Sequence, residues 1–197
     1  MRFRFALLLF AILIILLGSP LVARWSRLSG AQDAPALPSA SAVVKPHTYV
    51  SLEPVPRGSE FQVGVVAEIA RGFHMNSHQP SDKYLIPPTL TPQLPAGFRL
   101  VDTIYPAGHQ EKFSFSPNKP LDVYTEKVTL RLRLAVEKDA PLGAVAIPIT
   151  LRYQACNDTT CLPPVKLPVD AKLSVAAAGA KAHALHPEIF APAPAGK

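Results

Sequence analysis

The residues in this 197-residue chain best suited to chemistry are its two cysteines, Cys156 and Cys161. They lie in Tyr153-Gln154-Ala155-Cys156-Asn157-Asp158-Thr159-Thr160-Cys161-Leu162-Pro163-Pro164, where the intervening Asn-Asp-Thr-Thr is turn chemistry. Apolar alternation enters this segment at Ile147, Ile149, Leu151 and Tyr153 and resumes at Val165, Leu167 and Val169. The pair is therefore expected to flank the tip of a β-hairpin, where strand separation brings two β-carbons to disulfide distance. Closing so short a loop stabilises by only about 2 kcal/mol on the chain-entropy model. A disulfide at an exposed tip is also open to an attacking thiolate, as a redox-active pair requires. Read from the residues, a structural staple and a redox pair both stay open. Asp158, if close to Cys156, would raise a thiol's pKa and slow its attack, although its residue type also suits the turn.

A second group is His74, Met75 and His78, since imidazole and thioether both suit copper. On one strand the two histidines would share a face but lie about 13 Å apart, too far for one metal without a turn. Zinc fits less well because a fourth ligand is missing. No Ser/His/Asp arrangement, phosphate-cradling Gly loop or cofactor motif is present, and His183 and His186 sit in a tail that suggests no chemistry. Tyr124 and Tyr153 could line a groove beside the cysteines, or be plain core.

The elements that must hold these residues are strands. Proline reaches 22 of 197 residues and charged residues 17%, which argues against long helices and for short strands and turns. Phe61, Val63, Val65, Ala67 and Ile69 alternate with other residues, as do Val128, Leu130, Leu132, Leu134 and Val136, and a weaker strand runs from Phe98 to Ile104. Six to nine such strands without helical periodicity predict an all-β fold, an antiparallel β-sandwich.

Charge and termini suggest export. Four of the six net positive charges, Arg2, Arg4, Arg24 and Arg27, fall in residues 1–31, which hold no acid. The remaining basic residues are scattered rather than interleaved with aromatics, so nucleic-acid binding is not expected. Arg2 and Arg4, the apolar run Phe5 to Leu17 and Gly18-Ser19-Pro20 read as a signal peptide or N-terminal membrane anchor over residues 1–31. Residues 32–46 read as an Ala/Ser/Pro linker, 47–175 as the folded domain and 176–197 as a disordered Ala/Pro-rich tail. Export leads to an oxidising compartment, where two cysteines can keep a disulfide.

Tyr153-Gln154-Ala155-Cys156, Cys161-Leu162-Pro163-Pro164 and Gly72-Phe73-His74-Met75-Asn76 together resemble the N-terminal periplasmic domain of the thiol:disulfide interchange protein DsbD, over roughly Tyr49 to Val175. The resemblance implies an immunoglobulin-like sandwich without a cofactor. In that family the cysteine pair takes electrons from a membrane-embedded partner through a thioredoxin-like domain and delivers them to exported disulfide-bearing proteins. It further implies that Cys161, before the Pro-Pro, meets partners and that Cys156 resolves. The best-known members have one more residue between the cysteines. They also continue into transmembrane and thioredoxin-like domains, so the partner here is expected to be a separate chain. The family shields its disulfide with an aromatic on a loop. The equivalent loop here runs from Tyr105 to Tyr124, where Gly108, Pro117 and Pro120 are expected to break any strand, and Phe113 or Phe115 would be the cap. The rival expectations are an exported sandwich with an inert disulfide and a periplasmic copper-binding module.

Overall fold

The computed structural model describes residues 36–190. The strands in chain order are β1 (Val44–Val50), β2 (Leu52–Glu53), β3 (Val55–Pro56), β4 (Glu60–Ile69), β5 (His74–Asn76), β6 (Thr89–Pro92) and β7 (Phe98–Ile104). They continue as β8 (His109–Phe113), β9 (Ser116–Tyr124), β10 (Lys127–Val136), β11 (Gly143–Tyr153), β12 (Ala155–Cys156), β13 (Val165–Ala176) and β14 (His183–Ala184). A 3-10 turn at Ala40–Ala42 precedes them, and a one-turn helix, α1 (Pro187–Phe190), follows. Among the described residues no helix is long and apolar enough to cross a membrane.

Two four-stranded sheets, β1-β4-β10-β7 and β3-β13-β11-β6, form an immunoglobulin-like sandwich. Their pairings are antiparallel except for the short β3–β13 edge. Period-two alternation sends Phe61, Val63, Val65, Ala67 and Ile69 of β4 and Val128, Leu130, Leu132, Leu134 and Val136 of β10 inward. They meet Ile147, Ile149, Leu151 and Tyr153 of β11 and Ala171, Leu173 and Val175 of β13 in one core. Each large aliphatic side chain buried this way contributes roughly 1.5–3 kcal/mol, against about 2 kcal/mol for closing the short cysteine loop. The alternation on β7 is weak because a register shift opposite Arg133 and Leu134 interrupts its pairing.

Several boundaries differ from expectation. The strands number more than nine because two- and three-residue segments such as β2, β3 and β12 are too short to show a period. The expected linker to Pro46 ends early: Val43 and Val44 are core residues and β1 pairs with β4 from Val44 onward. The expected tail is ordered as far as Phe190, since β13 runs to Ala176, β14 pairs with β2 and α1 lies on the outer face of β4. Low-complexity composition hid these contacts because most of them are backbone pairings that leave no side-chain period. The export segment proposed for residues 1–31 lies outside the described residues.

Gly64 shows how the C-terminal segment docks. It faces outward on β4, between Tyr49 of β1 and Arg131 of β10. A Cβ there would stand 3.0 Å from Ile189 Cγ2 and 3.3 Å from the Phe190 ring. His186 packs edge-on against Tyr49, and an Arg131 guanidinium N–H donates to the Phe190 carbonyl at 3.4 Å. Gly64→Val should therefore displace α1, lowering stability by about 1–2 kcal/mol and opening residues 185–190 to limited proteolysis. An unchanged urea midpoint and cleavage pattern would show that α1 is not seated on β4.

Candidate functional site

The cysteine segment is the tip of the β11–β13 hairpin, but it leaves that sheet. The ladder between β11 and β13 ends at Tyr153 opposite Val165, because Pro163 and Pro164 carry no N–H to extend it. Beyond that point the tip closes on itself. The Leu162 N–H donates to the Ala155 carbonyl at 2.8 Å, and the Asn157 N–H to the Thr160 carbonyl at 2.9 Å. Asn157 Oδ1 accepts from the N–H groups of Thr159 at 3.0 Å and Thr160 at 2.8 Å, which fixes the turn. Cys156 and Cys161 sit opposite each other between these bonds, the close-approach position of an antiparallel pair, with Cα atoms 3.9 Å apart and a disulfide between them. Cys156 is completely buried, whereas Cys161 is exposed.

The freed strand β12 pairs with β5, placing Cys156 opposite His74 and Ala155 opposite Met75. Opposed residues of an antiparallel pair project to the same face with β-carbons about 5 Å apart, so His74 and Cys156 are side-chain neighbours. Gln154 secures the junction. Its Oε1 accepts from Asn76 Nδ2 and from the Ile86 N–H, both at 3.3 Å, while its Nε2 donates to the Leu162 carbonyl at 3.4 Å. Both flanks of the cysteine turn are thus tied to β5 and the loop after it.

β5 also pairs with β9, and β9 with β8, completing the sheet β12-β5-β9-β8. The segment from Tyr105 to Tyr124 is therefore a hairpin with a two-residue turn, Ser114-Phe115, and not the strandless loop expected from its prolines. Pro117 stands beside the turn and Pro120 at a register shift, two places where a ladder N–H is not required. Gly108 permits the hairpin to start close to β5, since a Cβ there would lie 2.6 Å from that of Ser77. Ser81 Oγ donates to Asp122 Oδ2 at 2.7 Å and accepts the Asp122 N–H at 2.9 Å, holding β9 to the loop after β5.

The hairpin tip reaches the cysteines. Ser114 Oγ donates a hydrogen bond to the Asp158 carbonyl within the Cys156–Cys161 turn. Phe113 is buried and stacks on the His74 imidazole with ring centroids 4.0 Å apart, and Phe115, 41% exposed, stacks on Phe113 at 5.5 Å. Phe113, Leu121 and Val123 form a small cluster of their own, with Leu85 against it. An open groove of about 820 Å³ runs alongside, bounded in part by Arg71, His74, Glu111, Phe113 and Asp158.

His74 is 3% exposed, and its Nε2 has no hydrogen-bond partner. Burial holds its imidazole well below the ordinary value, at about 4, although the Glu111 and Asp158 carboxylates pull upward; His109 adds a smaller downward push.

Tyr153 and Tyr124, expected either in a groove or in the core, are core residues absent from the lining of the His74 groove. The Tyr153 hydroxyl donates to the Ala40 carbonyl at 2.6 Å, and burial pushes its pKa up to about 12. The Tyr124 hydroxyl donates to the Pro106 carbonyl at 2.7 Å and accepts the His78 N–H at 3.1 Å. His78 stacks on Tyr105 at 3.7 Å, so the two candidate copper histidines occupy different aromatic contacts. Among the described residues no group of three His, Cys, Asp or Glu side chains is arranged to hold a metal. Sequence reasoning assigned no role to Ser114 or to the Gln154–Asn76 junction. Ser114 carries no sequence signal, whereas Gln154 and Asn76 are amides beside buried positions and so call for a partner.

A β-sandwich carrying an accessible disulfide at a hairpin tip, beside a second hairpin with an aromatic tip, has the make-up of a thiol:disulfide interchange module. Residues 40–172 match the family described as thiol:disulfide interchange protein DsbD, N-terminal, and the chain belongs to that family. Among solved structures, the N-terminal periplasmic domain of ScsB from Proteus mirabilis is similar at 13% identity with a TM-score of 0.39, over 66% of this chain and 44% of that one. The chain thus spans less than half of that relative. No curated protein matches the sequence.

Two outcomes are expected from this geometry. Phe113→Ala should speed reduction of the disulfide by a small thiol about tenfold, equivalent to about 1.4 kcal/mol in local opening, and Phe115→Ala much less. An unchanged rate in Phe113→Ala would mean that the ring does not shield the bond. The second concerns pH. His74 has a folded-state pKa below its unfolded value, so the folded chain binds fewer protons between about pH 4 and 6.5. The stability it contributes as a neutral group is full above that window and is lost as pH falls through it. In His74→Phe the difference in unfolding free energy between neutral pH and the lower edge of that window should shrink, as read from urea titrations; a profile identical to wild type would place His74 in water.

Proposed function

We propose that this protein is an exported, periplasmic thiol:disulfide exchange module that passes reducing equivalents through Cys156 and Cys161. Its donor would be a thioredoxin-like or membrane-embedded thiol:disulfide protein, and its acceptors exported disulfide-bearing clients. The observation that carries this reading is the asymmetry of the pair: Cys161 is exposed at the hairpin tip, while Cys156 is wholly enclosed on the His74 side. Thiol–disulfide exchange proceeds by attack on one sulfur with departure of the other, and here the exposed sulfur is the accessible target.

In the reductive half-cycle a donor thiolate attacks Cys161 Sγ. The Cys156–Cys161 bond breaks, a donor–Cys161 disulfide forms and Cys156 leaves as thiolate to be protonated. The donor's second thiol then attacks its own sulfur in the mixed disulfide, releasing Cys161 and leaving the donor oxidised. In the oxidative half-cycle the Cys161 thiolate attacks a client disulfide, one client sulfur leaves as thiolate, and Cys156 attacks Cys161 Sγ to expel the second. Two electrons move in each half-cycle, and the cysteine pair ends where it began. The β8–β9 hairpin would act as a gate, its aromatic tip restricting small thiols and moving aside when a partner docks.

Cys156→Ser should accumulate a mixed disulfide with a thioredoxin-like partner, and Cys161→Ser should not. The reverse pattern would exchange the two roles, and failure of both variants would leave an inert disulfide. The double variant Cys156→Ser/Cys161→Ser should stay folded, losing about 2 kcal/mol or less in urea titration.

A further inference from the structure

A buried imidazole with an unpartnered nitrogen calls for explanation when a phenylalanine could fill the same stack without a polar atom to desolvate. His74 is such a residue, and the register of β5 and β12 sets its side chain beside that of Cys156. No free cysteine and no assembled metal cluster is present among the described residues to account for it. Cys156 in turn has a proton to exchange with no solvent access of its own, since it is completely buried. We propose that His74 is the proton acceptor and donor for Cys156, taking the thiol proton as Cys156 resolves the mixed disulfide and returning one when Cys156 leaves.

This inference rests on the exchange reading above and adds a residue to it. In the resolving step the Cys156 thiol gives its proton to the neutral imidazole, and the thiolate attacks Cys161 Sγ. The Cys161–partner bond breaks and the partner sulfur departs as thiolate, so the protein gains one disulfide and His74 carries one proton. That proton then passes to water in the adjoining groove. The reverse step returns a proton along the same route to the Cys156 thiolate.

The surroundings of His74 suit a transient charge. From β8 it faces Glu111 and His109, and from the cysteine turn Asp158. Arg71, two residues before Phe73 on its own segment, and Glu68, Glu126 and Lys127 line the same groove. Burial keeps the imidazole unprotonated at rest but lowers its basicity, and the Glu111 and Asp158 carboxylates oppose that loss by favouring the imidazolium once it forms. A Cys156 thiolate beside it would add to the same effect.

The test uses the reduced full chain and a small aromatic disulfide whose released thiolate absorbs in the visible. Attack by Cys161 releases one equivalent, and resolution by Cys156 releases the second in a separate phase. His74→Phe, which keeps an aromatic ring under Phe113, should leave the first phase unchanged and slow the second by about a hundredfold near neutral pH. The pH midpoint of its second phase should also move upward, toward that of an unassisted buried thiol. A second phase with the wild-type rate and pH profile in His74→Phe would overturn the role of His74 while leaving exchange at the cysteines intact. Absence of the first phase in the wild type would overturn the exchange reading and this inference together. His74→Gln, without a titratable ring, should behave as His74→Phe does, and a wild-type profile in it would likewise overturn the proposal.

Discussion

The site depends on one short piece of backbone pairing, Ala155 and Cys156 on β12 against Met75 and His74 on β5. It draws the hairpin tip away from the sandwich and joins it to a separate four-stranded sheet. Without it the tip would project beyond the β11–β13 ladder into solvent, with no strand covering Cys156. With it, Cys156 faces His74 and Cys161 is left outside. Two features make the transfer possible: Pro163-Pro164, which cannot extend the old ladder, and Gln154, whose amide bridges both flanks of the turn to β5 and Ile86.

This division separates stability from reactivity. The sandwich core contains the large buried aliphatic side chains of β4, β10, β11 and β13. In the site sheet Met75, Tyr124 and Ala155 belong to that same core, whereas the β8–β9 tip rests on a small cluster of Phe113, Leu121 and Val123 and is tied to the cysteine turn by the Ser114–Asp158 hydrogen bond. Few buried contacts and an exposed edge are the conditions under which a segment opens locally without global unfolding. A tip built this way can move at small cost while the sandwich beneath it stays folded.

The sequence shows these two regions to very different degrees. Val128 to Val136 and Ile147 to Tyr153 alternate cleanly because each strand has one face in a single large core, so the sandwich and the cysteine hairpin can be read directly. The β8–β9 hairpin cannot, since Pro117 and Pro120 signal a break and only the pairing partners reveal that both fall where no N–H is needed. The ordered C-terminal segment is hidden for another reason: its docking depends on the absence of a side chain at Gly64, which composition does not record. His74 and His78 are four residues apart in sequence and suggest one shared ligand. The fold gives them separate aromatic partners, Phe113 and Tyr105, because the strand ends at Asn76 between them.

The stacking of Phe113 on His74 links the gate to the proton chemistry proposed beneath it. A neutral imidazole loses little by being covered with a phenyl ring, whereas an imidazolium buried without a hydrogen-bond partner carries a large desolvation cost. Forming the charge therefore favours either a nearby anion or access to water, and lifting the β8–β9 tip supplies the second. The ring that covers His74 at rest would then be least stable in place at the moment a proton has to leave. A partner that docks at the exposed Cys161 and displaces the hairpin tip would also hydrate His74. Docking of that kind would open the route for proton release, because the side chain it displaces is the one that covers His74.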